Sequence, residues 1–175
     1  MVAHALGQGP TLGGGRLVCI DGPAGSGKTT LASAVAELGQ ATVVHLDDLY
    51  PGWDGLFAVD PLVLGVLRPL TAGRAGQYRR YDWHAGAYQE LHEVEPVPLL
   101  VLEGVGAGNR AWERLITTLV WVEAPEEIRE VRGVARDGPA VLPHWSAWAR
   151  DEQRLFREQG TRERADLVVY TGDPG

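Results

Sequence analysis

The chain has 175 residues, 45% hydrophobic and 22% charged, the make-up of one ordinary globular domain with a sizeable core. A formal net charge of −7 argues against a general nucleic-acid or membrane-surface binder, although a local arginine cluster can still face an anion. A single cysteine excludes an internal disulfide and a cysteine-built zinc site, and no run of about 18 apolar residues offers a membrane span.

Residues 1–14 are Gly-rich and lack the basic start and apolar segment of a signal peptide. They read as a flexible leader, and the compartment as cytoplasmic. Residues 15–175 read as a single domain. Residues 17–21 form an apolar strand, with Cys19 as a small buried hydrophobe. The stretch Gly22-Pro-Ala-Gly-Ser-Gly-Lys28-Thr29 then fits G-x-x-x-x-G-K-[ST], the phosphate-binding P-loop. A helix follows over 29–38, with Leu31, Ala34, Val35 and Leu38 at i, i+3, i+4 and i+7 and Gly39 as its stop. The loop thus lies between strand and helix, where main-chain N–H groups and the helix N-terminus converge on a phosphate. Gly22, Ala24, Gly25, Ser26 and Gly27 shape the cradle for ATP. Lys28 reaches the β- and γ-phosphates, the Thr29 hydroxyl is a ligand for Mg²⁺, and Thr30 at the helix start is a further ATP-binding residue.

A second strand, 42–46, runs into Asp47, Asp48 and Tyr50. Ligands of open parallel sheets bind beyond the carboxyl ends of the strands, so both aspartates fall on the P-loop edge. His45 reads as packed within that strand. Residues 51–98 form a long excursion. Pro51 and Gly52 break the chain, Pro61 opens a helix to residue 70, and Gly73 and Gly76 end it. The segment Tyr78-Arg79-Arg80-Tyr81-Asp82-Trp83-His84 follows, rich in rings and charge. The third strand, 99–102, closes on Glu103-Gly104, an acid at a strand end where a Walker B carboxylate holds Mg²⁺ or orients a water.

Asn109 is a candidate cap for a short helix over 111–115. A fourth strand covers 118–122, and Pro125, Glu126 and Glu127 suit the first turn of the next helix. Another helix spans 143–159 and a last strand 165–170. Strands alternating with helices argue for a parallel α/β sheet. If the last strand is parallel, the turn at 137–143 lies over the P-loop. The helix before that turn carries Arg129, Arg132 and Arg136 at spacings of three and four, on one face. Such a set is either a solvated stripe paired with Glu126 and Glu130 or a group of cations over a triphosphate.

Taken in order, these pieces resemble the uridine kinase-like branch of the P-loop nucleoside and nucleotide kinases. Asp47-Asp-Leu-Tyr50 is similar to that family's Asp-Ser-Phe-Tyr, and Tyr81-Asp-Trp83 to its Tyr-Asp-Phe. Glu103-Gly104, followed by Arg129, Arg132 and Arg136-Asp137, is similar to its third strand and arginine-bearing lid helix. The resemblance covers about residues 15–172. It implies a three-layer α/β P-loop NTPase fold with five parallel strands in the order 2-3-1-4-5. It also implies a small substrate insertion at 51–98 and a lid at 129–143. The implied activity is ATP- and Mg²⁺-dependent transfer of the γ-phosphoryl group to a hydroxyl of a small molecule, a nucleoside first. Asp47 would be the general base, with Lys28 and Arg132 as further catalytic groups. Arg129 and Arg136 would touch ATP, Thr29 and Glu103 would serve the metal, and Tyr50, Tyr81 and Trp83 would line the acceptor pocket.

The residues themselves leave alternatives open. Asp48 is the other candidate base, and either aspartate can instead cap a turn. Tyr81 and Trp83 sandwich a ring or cover a small lid. Asp54 and Asp60 suit ribose hydroxyls or turns, and His84 is a further substrate contact. Arg79 and Arg80 would suit a phosphate on the acceptor, which makes a nucleoside monophosphate or another anionic metabolite the second reading. A P-loop ATPase that drives a partner protein is the reading from a different class, but no Asn/Thr-Lys-x-Asp guanine-reading motif is present.

Overall fold

The computed structural model describes residues 1–172. Seven strands and six α-helices alternate along them. The strands are β1 (Arg16–Asp21), β2 (Thr42–His45), β3 (Gly76–Asp82), β4 (Ala87–Val94), β5 (Leu99–Glu103), β6 (Thr118–Glu123) and β7 (Leu167–Tyr170). The helices are α1 (Val2–Gly7), α2 (Lys28–Gly39), α3 (Asp60–Thr71), α4 (Glu126–Asp137), α5 (Leu142–Gln159) and α6 (Thr161–Arg164).

Five strands pair in parallel in the order β2-β5-β1-β6-β7. Counted among themselves, these five core strands run 2-3-1-4-5, the order the resemblance implies. The pleat explains the layering. Leu17 and Cys19 of β1 point to one face with Leu100 and Leu102 of β5, under Val63, Val66 and Leu67 of α3. Val18 and Ile20 point to the other with Val120 and Val122 of β6, under Ala32 and Val35 of α2. A sheet covered on both faces needs apolar residues at every position, which is why β1, β5 and β6 read as continuous hydrophobic runs.

Several expectations need adjusting. The buried stripe of α2 is Lys28, Ala32 and Val35, whereas Ala34 and Leu38 face solvent. Its stop is Gln40 in the left-handed conformation, one residue beyond Gly39. Residues 1–14, expected to be a loose leader, carry α1, whose Ala5 is buried on the α2 side of the sheet. His4 Nδ1 lies 2.9 Å from Thr118 Oγ1, and Leu12 pairs with Gly15 in an isolated bridge and is buried with the other core cluster. The ring-rich segment is one arm of an antiparallel hairpin, β3–β4, whose turn holds Trp83 and His84. Asn109 caps a 3₁₀ turn over Arg110–Leu115, its Oδ1 accepting from Ala111 N at 2.8 Å. No helix of the described residues is long and apolar enough to cross a membrane. Residues 173–175, the end of the expected domain, lie outside the described residues.

Candidate active site

The P-loop takes its shape from close backbone packing. A Cβ on Gly22 (φ 142°) would sit 2.0 Å from Val122 O, and one on Gly25 (φ 74°) 2.2 Å from Arg129 O. Only glycine fits either place. Asp21, the last residue of β1, is fully buried and accepts from Gly22 N at 2.7 Å and from Gly106 N and Gly108 N at 2.8 Å each. It ties the loop's first residue to the segment after β5. Burial pushes its carboxyl up to about 6, against the pull of those three N–H groups and Lys28.

Lys28 is the only lysine in the chain. Its ammonium donates to Pro23 O at 3.0 Å and lies in the wall of a cavity of about 700 Å³. Thr29 and Glu103 lie in the same wall, with Thr29 Oγ1 donating to Glu103 Oε1 at 3.2 Å. His45 Nδ1 sits 2.5 Å from the same oxygen, so it faces the cleft and is not packed inside β2 as the sequence reading has it. Burial raises the Glu103 carboxyl, but His45, Lys28 and Thr29 outweigh that and hold it below the ordinary range. The imidazole is raised in turn, chiefly by its hydrogen bond to Glu103. A hydroxyl and an ionised carboxylate side by side are hard oxygen donors of the kind Mg²⁺ takes from protein when phosphates supply further ligands.

Asp47 and Asp48, just past β2, face this cavity from the side of the neighbouring strand. The Asp47 side chain lines the cleft and is 51% exposed, and Arg136 Nη1 stands 3.8 Å from its Oδ2. Its surroundings raise its pKa through desolvation, and Arg136 opposes the shift. Asp48 is raised by burial as well, with His45 opposing. Aromatic rings line the same cavity. Trp83 donates from Nε1 to Asp47 O at 2.9 Å, and Trp53 packs edge-on against it with ring centroids 5.1 Å apart. Tyr50, fully buried, donates to Val105 O at 2.6 Å and meets Trp148 edge-on at 5.3 Å. Trp145 and His84 line the same cavity.

Some expected site residues lie elsewhere. Arg129 is buried: it donates to Ala24 O, to Ala124 O and to Glu152 Oε1, at 3.2 Å each. Arg132 donates to Thr171 Oγ1 and Thr171 O at 3.0 and 2.8 Å, and Thr171 Oγ1 in turn donates to Ser26 O at 2.7 Å. It therefore braces the P-loop at one remove and does not line the cavity. Of the three arginines only Arg136 does, held by Asp137 at 2.6 Å. Arg80 pairs with Glu90 across the hairpin, and Arg79 donates to Gln89 O. Tyr81 lies outside the cavity wall and supports Trp83 edge-on at 5.6 Å. Asp54 is exposed outside it, and Asp60 accepts from Asn109. Thr30 is exposed one residue past Thr29 and is not in the wall.

Sequence reasoning missed Trp53, Trp145 and Trp148, and the buried acids Asp21 and Glu152. A signal existed for α5: Trp145, Trp148 and Glu152 recur at spacings of three and four, one helix face.

No family model and no curated protein matches the sequence. Solved structures do match the fold. A possible uridine kinase from Bacillus stearothermophilus aligns with a TM-score of 0.65 at 21% identity, over 89% of each chain. A candidate fructose transport system kinase from a Silicibacter species aligns at 0.60 and 20%, over 88% of this chain and 89% of that one. Shikimate kinase from Acinetobacter baumannii, solved with shikimate, aligns at 0.54 and 18%, over 93% and 87%. At such identities the likeness is one of architecture: the chain has the α/β fold of the small P-loop kinases.

Proposed function

We propose that the protein is an ATP- and Mg²⁺-dependent kinase that phosphorylates a hydroxyl of a small ring-bearing molecule, a nucleoside before other classes. One arrangement carries the reading. The Asp47 carboxylate faces the same cavity as Lys28, Thr29 and Glu103, with an aromatic wall on the acceptor side. Phosphoryl transfer asks little of a protein beyond positioning, charge neutralisation and a nearby proton acceptor.

Each group has a task. The P-loop and Lys28 hold the triphosphate. Thr29 and Glu103 hold Mg²⁺, which neutralises phosphate charge when bound. Asp47 accepts the proton of the acceptor hydroxyl as its oxygen forms a bond to the γ-phosphorus, the bond from that phosphorus to the β–γ bridging oxygen breaks, and ADP leaves. Arg136, poised beside Asp47, supplies positive charge to the group in transit. Tyr50, Trp53, Trp83 and Trp148 form the acceptor side, where a flat uncharged ring gains most.

A monophosphate acceptor is the weaker reading, because Arg79 and Arg80 are engaged on the hairpin and away from the cavity wall. An acceptor screen tests both. Purified protein with Mg·ATP is offered nucleosides, nucleoside monophosphates and sugars, and ADP release is followed. Stimulation by a nucleoside is the expected result. Stimulation by monophosphates alone overturns the nucleoside reading, and steady ATP hydrolysis that no acceptor changes favours an ATPase.

A further inference from the structure

We infer that Glu152 is a positioning residue which, with Arg129, fixes the P-loop in the shape that receives ATP and ties that shape to the wall of the acceptor pocket. The inference rests on the reading of the P-loop as the ATP site.

Both main-chain polar groups of Ala24 are taken by this pair. Glu152 Oε2 accepts from Ala24 N at 2.9 Å, and Arg129 donates to Ala24 O at 3.2 Å. The two side chains bond each other at 3.2 Å, and both are almost completely buried. The next residue, Gly25, packs its backbone on the carbonyl of Arg129. The middle of the P-loop is therefore held in part by α4 and α5, beside the loop's own bonds from Ser26 N and Lys28 Nζ to Pro23 O.

Two consequences follow. A main-chain N–H that bonds a carboxylate is not offered to a phosphate, so Glu152 selects which N–H groups of the loop can face ATP. Ala24, expected among the ATP-binding residues, gives its N–H to Glu152. Secondly, α5 presents Trp145 and Trp148 to the acceptor cavity and Glu152 to the P-loop along one face. A shift of α5 on filling the acceptor pocket would move the group that shapes the phosphate cradle. Coupling of this kind is reciprocal between the two ligands. A buried carboxylate is expensive to keep, and a merely structural role at this place would be met as well by apolar packing.

The test is calorimetric titration with Mg²⁺ and a non-hydrolysable ATP analogue, run beside thermal unfolding. Glu152→Ala should weaken analogue binding about tenfold or more, because a buried charge-assisted hydrogen bond to the loop is lost. Glu152→Gln keeps an oxygen for Ala24 N–H and should stay within about threefold of wild type. Glu152→Asp keeps the charge for Arg129 but is one methylene short of Ala24, and should resemble the alanine variant. A folded Glu152→Ala that binds the analogue like wild type overturns the inference. Should that variant not fold, wild-type affinity in Glu152→Asp overturns it equally. A wild type that binds no Mg·nucleotide overturns the ATP-site reading together with this one, so the two failures are distinguishable.

Discussion

The Trp83 indole donates a 2.9 Å hydrogen bond to the main-chain carbonyl of Asp47, fastening the turn of the β3–β4 hairpin to the loop that carries the candidate base. Tyr88, farther along β4, adds a second tie from its hydroxyl to Leu49 O at 2.8 Å. Trp83→Phe keeps an aromatic ring and removes the donor. It should lower kcat/KM for the acceptor about three- to tenfold, the size of one hydrogen bond, and leave Mg·ATP affinity unchanged. Steady-state kinetics with each substrate varied in turn separates the two effects.

Lys28→Ala should abolish phosphoryl transfer. No second lysine exists to replace it, and its hydrogen bond among the described residues is the one to Pro23 O. The thermal midpoint should change little. ADP release and a melting curve on the same preparation check both statements, and full activity would remove Lys28 from the site.

Arg80→Ala separates the acceptor classes. The guanidinium is exposed and held by Glu90, so a nucleoside kinase should show the same acceptor KM with or without it. A tenfold or larger rise in KM for a monophosphate would place a phosphate near the hairpin.

Asp21 and Glu152 make stability fall as pH rises. Burial raises Asp21 from 3.8 to about 6, and burial likewise raises Glu152 from 4.5 to about 7 against Ala24 N–H, Lys28 and Arg129. Between the unfolded and folded values the native state binds more protons than the unfolded chain. The stabilising contribution is therefore complete below the unfolded value and lost as pH climbs through the folded one. His45, raised by its bond to Glu103, acts in the same direction, whereas Glu103, held below its ordinary value, acts at lower pH. The thermal midpoint should be higher near pH 5 than near pH 8, and Glu152→Gln should flatten that slope.

The phosphate loop, the five core strands and the Asp47 position were legible because each depends on short-range pattern: a glycine spacing, a run of apolar residues, an acid one step past a strand. The hairpin was not. Its strands mix rings and charges on half-exposed faces, so β3 lacks a clean alternation. The arginines of α4 share a helix face in sequence, yet their partners decide their use. Arg129 answers to Glu152, Arg132 to Thr171 and Arg136 to Asp47 and Asp137, and most of these partners lie far along the chain. Of the aromatic wall, Tyr50 and Trp83 follow from the resemblance, whereas Trp53, Trp145 and Trp148 escaped for the same reason: they come from separate segments that only the fold brings together.

The most direct measurement compares acceptor-stimulated ADP release in the wild type and in Asp47→Asn, alongside Mg·ATP binding to each. Asparagine keeps the size of the side chain and cannot take the proton. The expected result is a fall in the stimulated rate of about 10²- to 10⁴-fold with nucleotide affinity retained. A stimulated rate that survives in Asp47→Asn would contradict transfer to a hydroxyl with Asp47 as its base.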